Sequence, residues 1–195
     1  AALLAAVPGP AAATRATPAW ADYHADLAGT QAWLLLARGR LDEAEVRARE
    51  AITLRPTDAP GWAALARIAV SRAQWTKASE AAAALLAHHP EHLEGLGLAA
   101  QAAIELGDAG RARDAYERLR GLAPTAPGPL VGLALIAARL DGDTPGAIAH
   151  LRRATLHGDP ALPTLLLRPG WEPLRDDEAF VAALNALIAE LHASE

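Results

Sequence analysis

Three histidines crowd the stretch AHHPEH (87–92): His88, His89 and His92, with Glu91 among them. Imidazoles at i and i+4 on one helical face, with a carboxylate alongside, form a donor set for a divalent transition metal. An open position on such a metal would activate water for hydrolysis. That chemistry requires His88 and His92 on one continuous helix. Pro90 stands between them, and a residue without an N–H whose ring clashes with the preceding turn ends a helix. The stretch therefore reads as a solvated turn between two helices. His24, His150, His157 and His192 are scattered, with no Asp or Glu at ligand spacing. Asp141 and Asp143 of DGDTPG (141–146) lack the further oxygen ligands of a calcium loop and read as a turn. Glycine-rich phosphate loops, serine elbows and paired carboxylates are missing. With no cysteine, thiolate nucleophiles and thiolate metal sites are excluded. No catalytic residue, metal or cofactor is expected, so the chain reads as non-enzymatic.

The rest of the composition fits a helical protein. Hydrophobic residues make up 52% of the chain, but aromatics only 4%, because most of the apolar content is alanine. Alanine is the best helix former and lets backbones pack closely, so the chain leans all-α. A net charge of −5 supplies no field for gripping phosphate backbones, and nucleic acid is not an expected partner. No apolar run approaches the ~20 residues that span a bilayer, so membrane insertion of this segment is not expected either.

Pro90 also belongs to a series. Pro56, Pro90 and Pro124 recur at a constant step (i, i+34), as do Ala32, Ala66, Ala100 and Ala134, and Ala44, Ala78 and Ala112. Gly39, Ala73 and Gly107 keep the same step. The fourth unit slips by one residue, to Ala147 and Ala154, which places an extra residue in DGDTPG. Within a unit the spacing is helical: Trp62, Leu65, Ala66 and Ala69 follow i, i+3, i+4, i+7. A second helix, LDEAEVRAREAITL (41–54), opens with Asp42 and Glu43 and ends at Arg55, as the helix dipole favours.

Two helices per unit of this length, closed by proline, resemble the tetratricopeptide repeat, whose pattern is W-x2-L-G-x2-Y, A-x3-F and P. WAALARIA (62–69) keeps Trp62 and Leu65 but has Ala66 and Ala69 for the Gly and Tyr; ARDAY (112–116) keeps Ala112 and Tyr116. The resemblance spans about residues 25–160. It implies a right-handed, all-α solenoid of antiparallel helix pairs, with hairpins over about 18–56, 57–90, 91–124 and 125–160. It also implies a concave groove lined by first helices, for a peptide or helix. Carried onto this chain, the groove residues are Trp33 and Leu36, then Arg67 and Val70, then Leu98, Gln101, Ile104 and Glu105, and finally Leu135 and Arg139. The family's clamp for a chaperone's C-terminal carboxylate needs Lys, Asn and Arg. Those positions hold Gly29, Trp33, Ala64, Glu94 and Leu98, so that mode is disfavoured. The mixture suits an apolar or amphipathic segment, with Trp33, Leu98 and Leu135 as anchors and Arg67, Glu105 and Arg139 setting its orientation.

The ends are expected to differ from the repeats. Residues 1–17 are alanine-rich and read as a linker or an N-terminal helical segment. The absence of Met suggests a processed or excised piece of a longer chain. Thr17 and Pro18 look like the N-cap and first position of a long first helix. Residues 161–195 form a connector and a final helix whose stripe of Phe180, Val181, Leu184, Leu187, Ile188 and Leu191 would cap the solenoid. The function expected is a scaffold or assembly factor that binds a protein or peptide. The alternatives are a self-associating structural module (a homo-oligomer) and a regulatory repeat domain of a larger enzyme or of a secretion or envelope complex.

Overall fold

The computed structural model describes residues 17–158 and 162–193, so the expectations for residues 1–16 lie outside the described residues. Eight helices form four antiparallel hairpins: α1 (Pro18–Ala37) with α2 (Leu41–Leu54), α3 (Ala59–Ser71) with α4 (Trp75–His88), α5 (Leu93–Glu105) with α6 (Ala109–Leu122), and α7 (Gly128–Arg139) with α8 (Thr144–Leu156). Each hairpin packs on the next, and no strand occurs among the described residues. The chain is an α-solenoid. No described helix is long and apolar enough to cross a membrane.

The in-phase alanines make this stacking possible. Ala32, Ala66, Ala100 and Ala134 on first helices, and Ala44, Ala78 and Ala112 on second helices, are all wholly buried where neighbouring backbones approach. The turns inside the hairpins repeat too. Gly39, Gly107 and Gly142 sit at φ +71°, +74° and +66°, and Ala73 is forced to +53° in the same place. Only glycine takes this left-handed geometry without steric cost. In the first three hairpins the turn closes by an N–H donating five residues back: Arg40 to Leu35, Gln74 to Ala69 and Asp108 to Ala103. In the fourth, Asp143 donates six residues back to Ala137, and this is where the extra residue is absorbed.

Three of the four first helices start at side-chain caps, while α7 has Pro127 at its N-cap and no such bond. Thr17 Oγ1 accepts from Trp20 N at 3.3 Å, and Asp58 Oδ2 from Gly61 N at 2.7 Å. Asp58 is wholly buried, paired with Arg55, which also reaches Asp26. One unit on, His92 does the same work: its Nδ1 accepts from Gly95 N at 3.1 Å. His89 Nε2 lies 2.8 Å from the carbonyl of Thr57, one unit back. Two of the three clustered histidines are thus engaged in the turn, one as a helix cap and one as a link between units.

Ion pairs on the second helices form both within single helices and between stacked units. Glu45–Arg49 forms as the i, i+4 spacing suggests, but Glu43 pairs with Arg40, and Arg47 with Glu50. Arg72 reaches back to Asp42 and Glu45, Arg113 forward to Asp141, and Arg118 donates to the carbonyl of Pro90. Acceptors on adjacent units compete successfully with those one turn away.

The open end of the fourth hairpin is covered. α9 (Glu178–His192) packs on α8, and Phe180, Leu184 and Leu187 are buried in one cluster with Leu130, Ile136 and Leu151. Arg152 and Glu190 clasp the two helices at the surface. Two 3₁₀ turns, Leu162–Leu167 and Glu172–Leu174, carry the chain there, with Trp171 buried 5.8 Å from Phe180, centroid to centroid.

Candidate functional site

Helices α1, α3, α5 and α7 begin each hairpin, and α1 lies on α3 as α3 lies on α5. Side chains at i and i+4 share a face, so Gly97, Gln101 and Glu105 line one side of α5, while Val131, Leu135 and Arg139 line α7. A cleft of about 640 Å³ opens there. Its floor is apolar, from Leu98, Ile104, Val131 and Leu135, and Tyr116 reaches into it from α6. A Cβ on Gly132 would overlap the Tyr116 ring, so the ring lies directly on bare backbone. Burial pushes the Tyr116 hydroxyl pKa up, so it stays a neutral phenol.

Six of the ten expected groove residues line this cleft: Arg67, Leu98, Gln101, Ile104, Glu105 and Leu135. Arg139 stands at its edge, beside Gly170. Trp33 joins through Arg67, whose guanidinium lies 5.2 Å from the indole centroid. Leu36 and Val70 turn into the hairpins instead. Leu36 packs with Leu35, Ala44 and Ile68, and Val70 with Ala69, Ala78 and Ala102, and also against the cluster of Ala66, Ala81, Ala82 and Leu98 beneath the cleft.

The charges at the cleft already have partners. Arg67 Nε donates to Glu94 Oε1 at 2.8 Å, linking α3 to α5. Arg139 makes a two-pronged pair with Glu105, at 2.6 and 2.9 Å, linking α7 to α5. That second pair is largely shielded from water. The Glu105 carboxylate, chiefly by accepting these bonds, raises the pKa of Arg139. The two ion pairs therefore brace the inner wall, with the apolar floor between them.

One wall of the cleft comes from a part of the chain that the repeat pattern does not reach. Arg168, Pro169, Gly170, Trp171 and Glu172 cross in front of α7, and Gly170 lies against Leu135 at its left-handed turn, φ +88°. Arg139 also points at the Gly170 carbonyl, 3.5 Å away. The connector thus covers much of the inner face of α7, and Leu135 is only 7% exposed. A tryptophan between glycine and proline in LRPGWEPL (167–174) is the sequence signal for this anchor.

No His, Cys, Asp or Glu group of three or more is placed to hold a metal ion among the described residues. The cleft presents apolar surface, a glycine-lined opening and the amide of Gln101, which suits holding a side chain or a helix face.

Comparison with known proteins agrees with this geometry. Residues 35–102 match the tetratricopeptide repeat family. The chain carries tetratricopeptide repeats over that span. Solved structures extend the likeness in fold well beyond those residues. TTC0263, a thermophilic TPR protein of Thermus thermophilus, is 21% identical with a TM-score of 0.64, over 85% of this chain and 89% of that one. A tetratricopeptide repeat protein of Parabacteroides merdae gives 16% and 0.70, over 87% and 64%. YrrB, described as a TPR protein with an unusual peptide-binding site, gives 16% and 0.61, over 84% and 88%. No curated protein matches the chain.

Proposed function

We propose that this tetratricopeptide repeat protein is a non-enzymatic scaffold or assembly factor that holds an apolar or amphipathic protein segment in the cleft between α3, α5 and α7. The observation that carries this is the combination of an open apolar floor with charges already spent on one another. Arg67, Glu94, Glu105 and Arg139 shape and stiffen the wall, and recognition falls to Trp33 and to the edges that Leu98 and Leu135 still present, with Gln101 offering an amide to the ligand's backbone. YrrB, of similar fold, is described as having a peptide-binding site, which supports the class of ligand.

Gly97 supplies the test. A Cβ there meets no atom within 4 Å, so a side chain would project into open space without disturbing the helix. Gly97→Trp fills the opening while α5 stays folded, whereas a charge at Leu98 would be buried and would unfold the unit. In a peptide array, ligands of the wild type are expected to lose at least about tenfold in affinity for Gly97→Trp. Their affinity should change little with salt, since exposed unpaired charges are not used. Undiminished binding by a folded Gly97→Trp would place the site elsewhere.

A further inference from the structure

The first helix carries a second face. Ala25, Ala28, Gly29, Ala32 and Leu35 of α1 are buried against α2 and α3. On the opposite side, Trp20, Tyr23, Leu27, Thr30, Leu34 and Ala37 succeed one another at spacings of 3, 4, 3, 4 and 3. That alternation is the seam by which single helices pair side by side. Tyr23 and Leu34 are 59% and 52% exposed, large apolar groups turned to water.

This face corresponds in register to the one that each later hairpin sets against its predecessor, yet it is built differently. Gly61 and Gly95 occupy equivalent places on α3 and α5, and a Cβ on either would come within 2.8 Å of Ile52 or Leu85 of the preceding unit. One period before Gly61 stands Leu27. A hairpin in the array's own register would collide with that side chain. α1 also begins two turns earlier in phase than α3, since Pro18 precedes Ala25, the equivalent of Ala59. The extra turns lengthen the seam beyond what a hairpin contact uses.

We infer that α1 pairs with α1 of a second copy of this chain, antiparallel about a two-fold axis that passes the exposed face between Leu27 and Thr30. The seam is self-complementary in that arrangement, which pairs all six of its residues. Residue numbers that sum to 57 face each other, so Trp20 meets Ala37 of the other copy, Tyr23 meets Leu34, and Leu27 meets Thr30, each a large group against a smaller or branched one. The flanks bring no run of like charge together: His24, Gln31 and Arg38 lie on one side, Asp26 and Trp33 on the other, and Asp26 is already held by Arg55. The pairing leaves the cleft of α3, α5 and α7 free, so it stands independently of the function proposed above.

Light scattering of the whole chain across a dilution series tests this. The wild type should pass from twice 20.3 kDa to 20.3 kDa on dilution. Leu34→Glu should raise the dimer dissociation constant by roughly tenfold or more, with helicity unchanged because Leu34 is exposed, and with the same melting temperature as the wild type only at dilutions where both are monomeric. The native chain has no cysteine, so register can be read directly. A mixture of Tyr23→Cys and Leu34→Cys chains should oxidise to a covalent dimer, and neither variant alone should do so. A wild type that is monomeric at its highest soluble concentration overturns the proposal. So does a dimer that survives Leu34→Glu, or self-cross-linking of either single-cysteine variant.

Discussion

Ala73 is the residue at which the repeat departs most clearly from its own rule. Its three counterparts are glycine, and at φ +53° its Cβ crowds the following carbonyl at about 1–2 kcal/mol. Glycine's greater freedom in the unfolded chain offsets part of that strain, by about 0.5–1 kcal/mol. Ala73→Gly should therefore stabilise the protein by about 0.5–1 kcal/mol in urea titration; a destabilised variant would show that the turn holds no such strain. The histidine cluster teaches the complementary lesson. Its residue types suggested a metal, but Pro90 breaks the helix, and His92 caps α5 where Asp58 caps α3.

Among the elements, α5 and α7 show how one residue type serves two ends. Gly97 on α5 leaves an opening, and Gly132 on α7 is covered by the ring of Tyr116. Gly97→Ala should stabilise by about 0.5–1 kcal/mol, the usual difference in a helix interior. Gly132→Ala must displace a buried aromatic ring, and should cost about 1–3 kcal/mol. Thermal melts of the two variants, expected to move in opposite directions, separate the helix propensity of glycine from its role in packing. The sequence reveals both residues but not the difference, because Tyr116 belongs to another helix, α6, and meets Gly132 only when α6 and α7 pack.

For the whole molecule, the decisive feature is how the array ends. A solenoid buries apolar surface only between neighbours, so its last unit needs a cover of another kind. Here Trp171, Leu174, Phe180, Leu184 and Leu187 provide it, in a cluster continuous with α7 and α8. A chain ending after Gly158 should lose at least about 5 kcal/mol, given ~1.5–3 kcal/mol for each large apolar side chain buried. The loss should appear first as hydrogen exchange and proteolysis in α7 and α8, with α1 to α4 protected for longer. Uniform loss of protection along the chain would mean that the array folds as one unit.

The sequence by itself determined the period, the hairpins, the turn glycines, the slip before the fourth unit and the capping stripe, because each is written in residue spacing, either within one helix or at the repeat step. It also marked most of the cleft, since position in a helix settles which way a side chain faces. Tertiary structure alone decided the rest. Arg67 and Arg139 turn out to be spent on Glu94 and Glu105 of a neighbouring unit, Leu36 and Val70 are drawn into the hairpins, and the Arg168–Glu172 connector closes over Leu135. Partners from different repeats meet only once the superhelix curves, and no local spacing encodes that meeting.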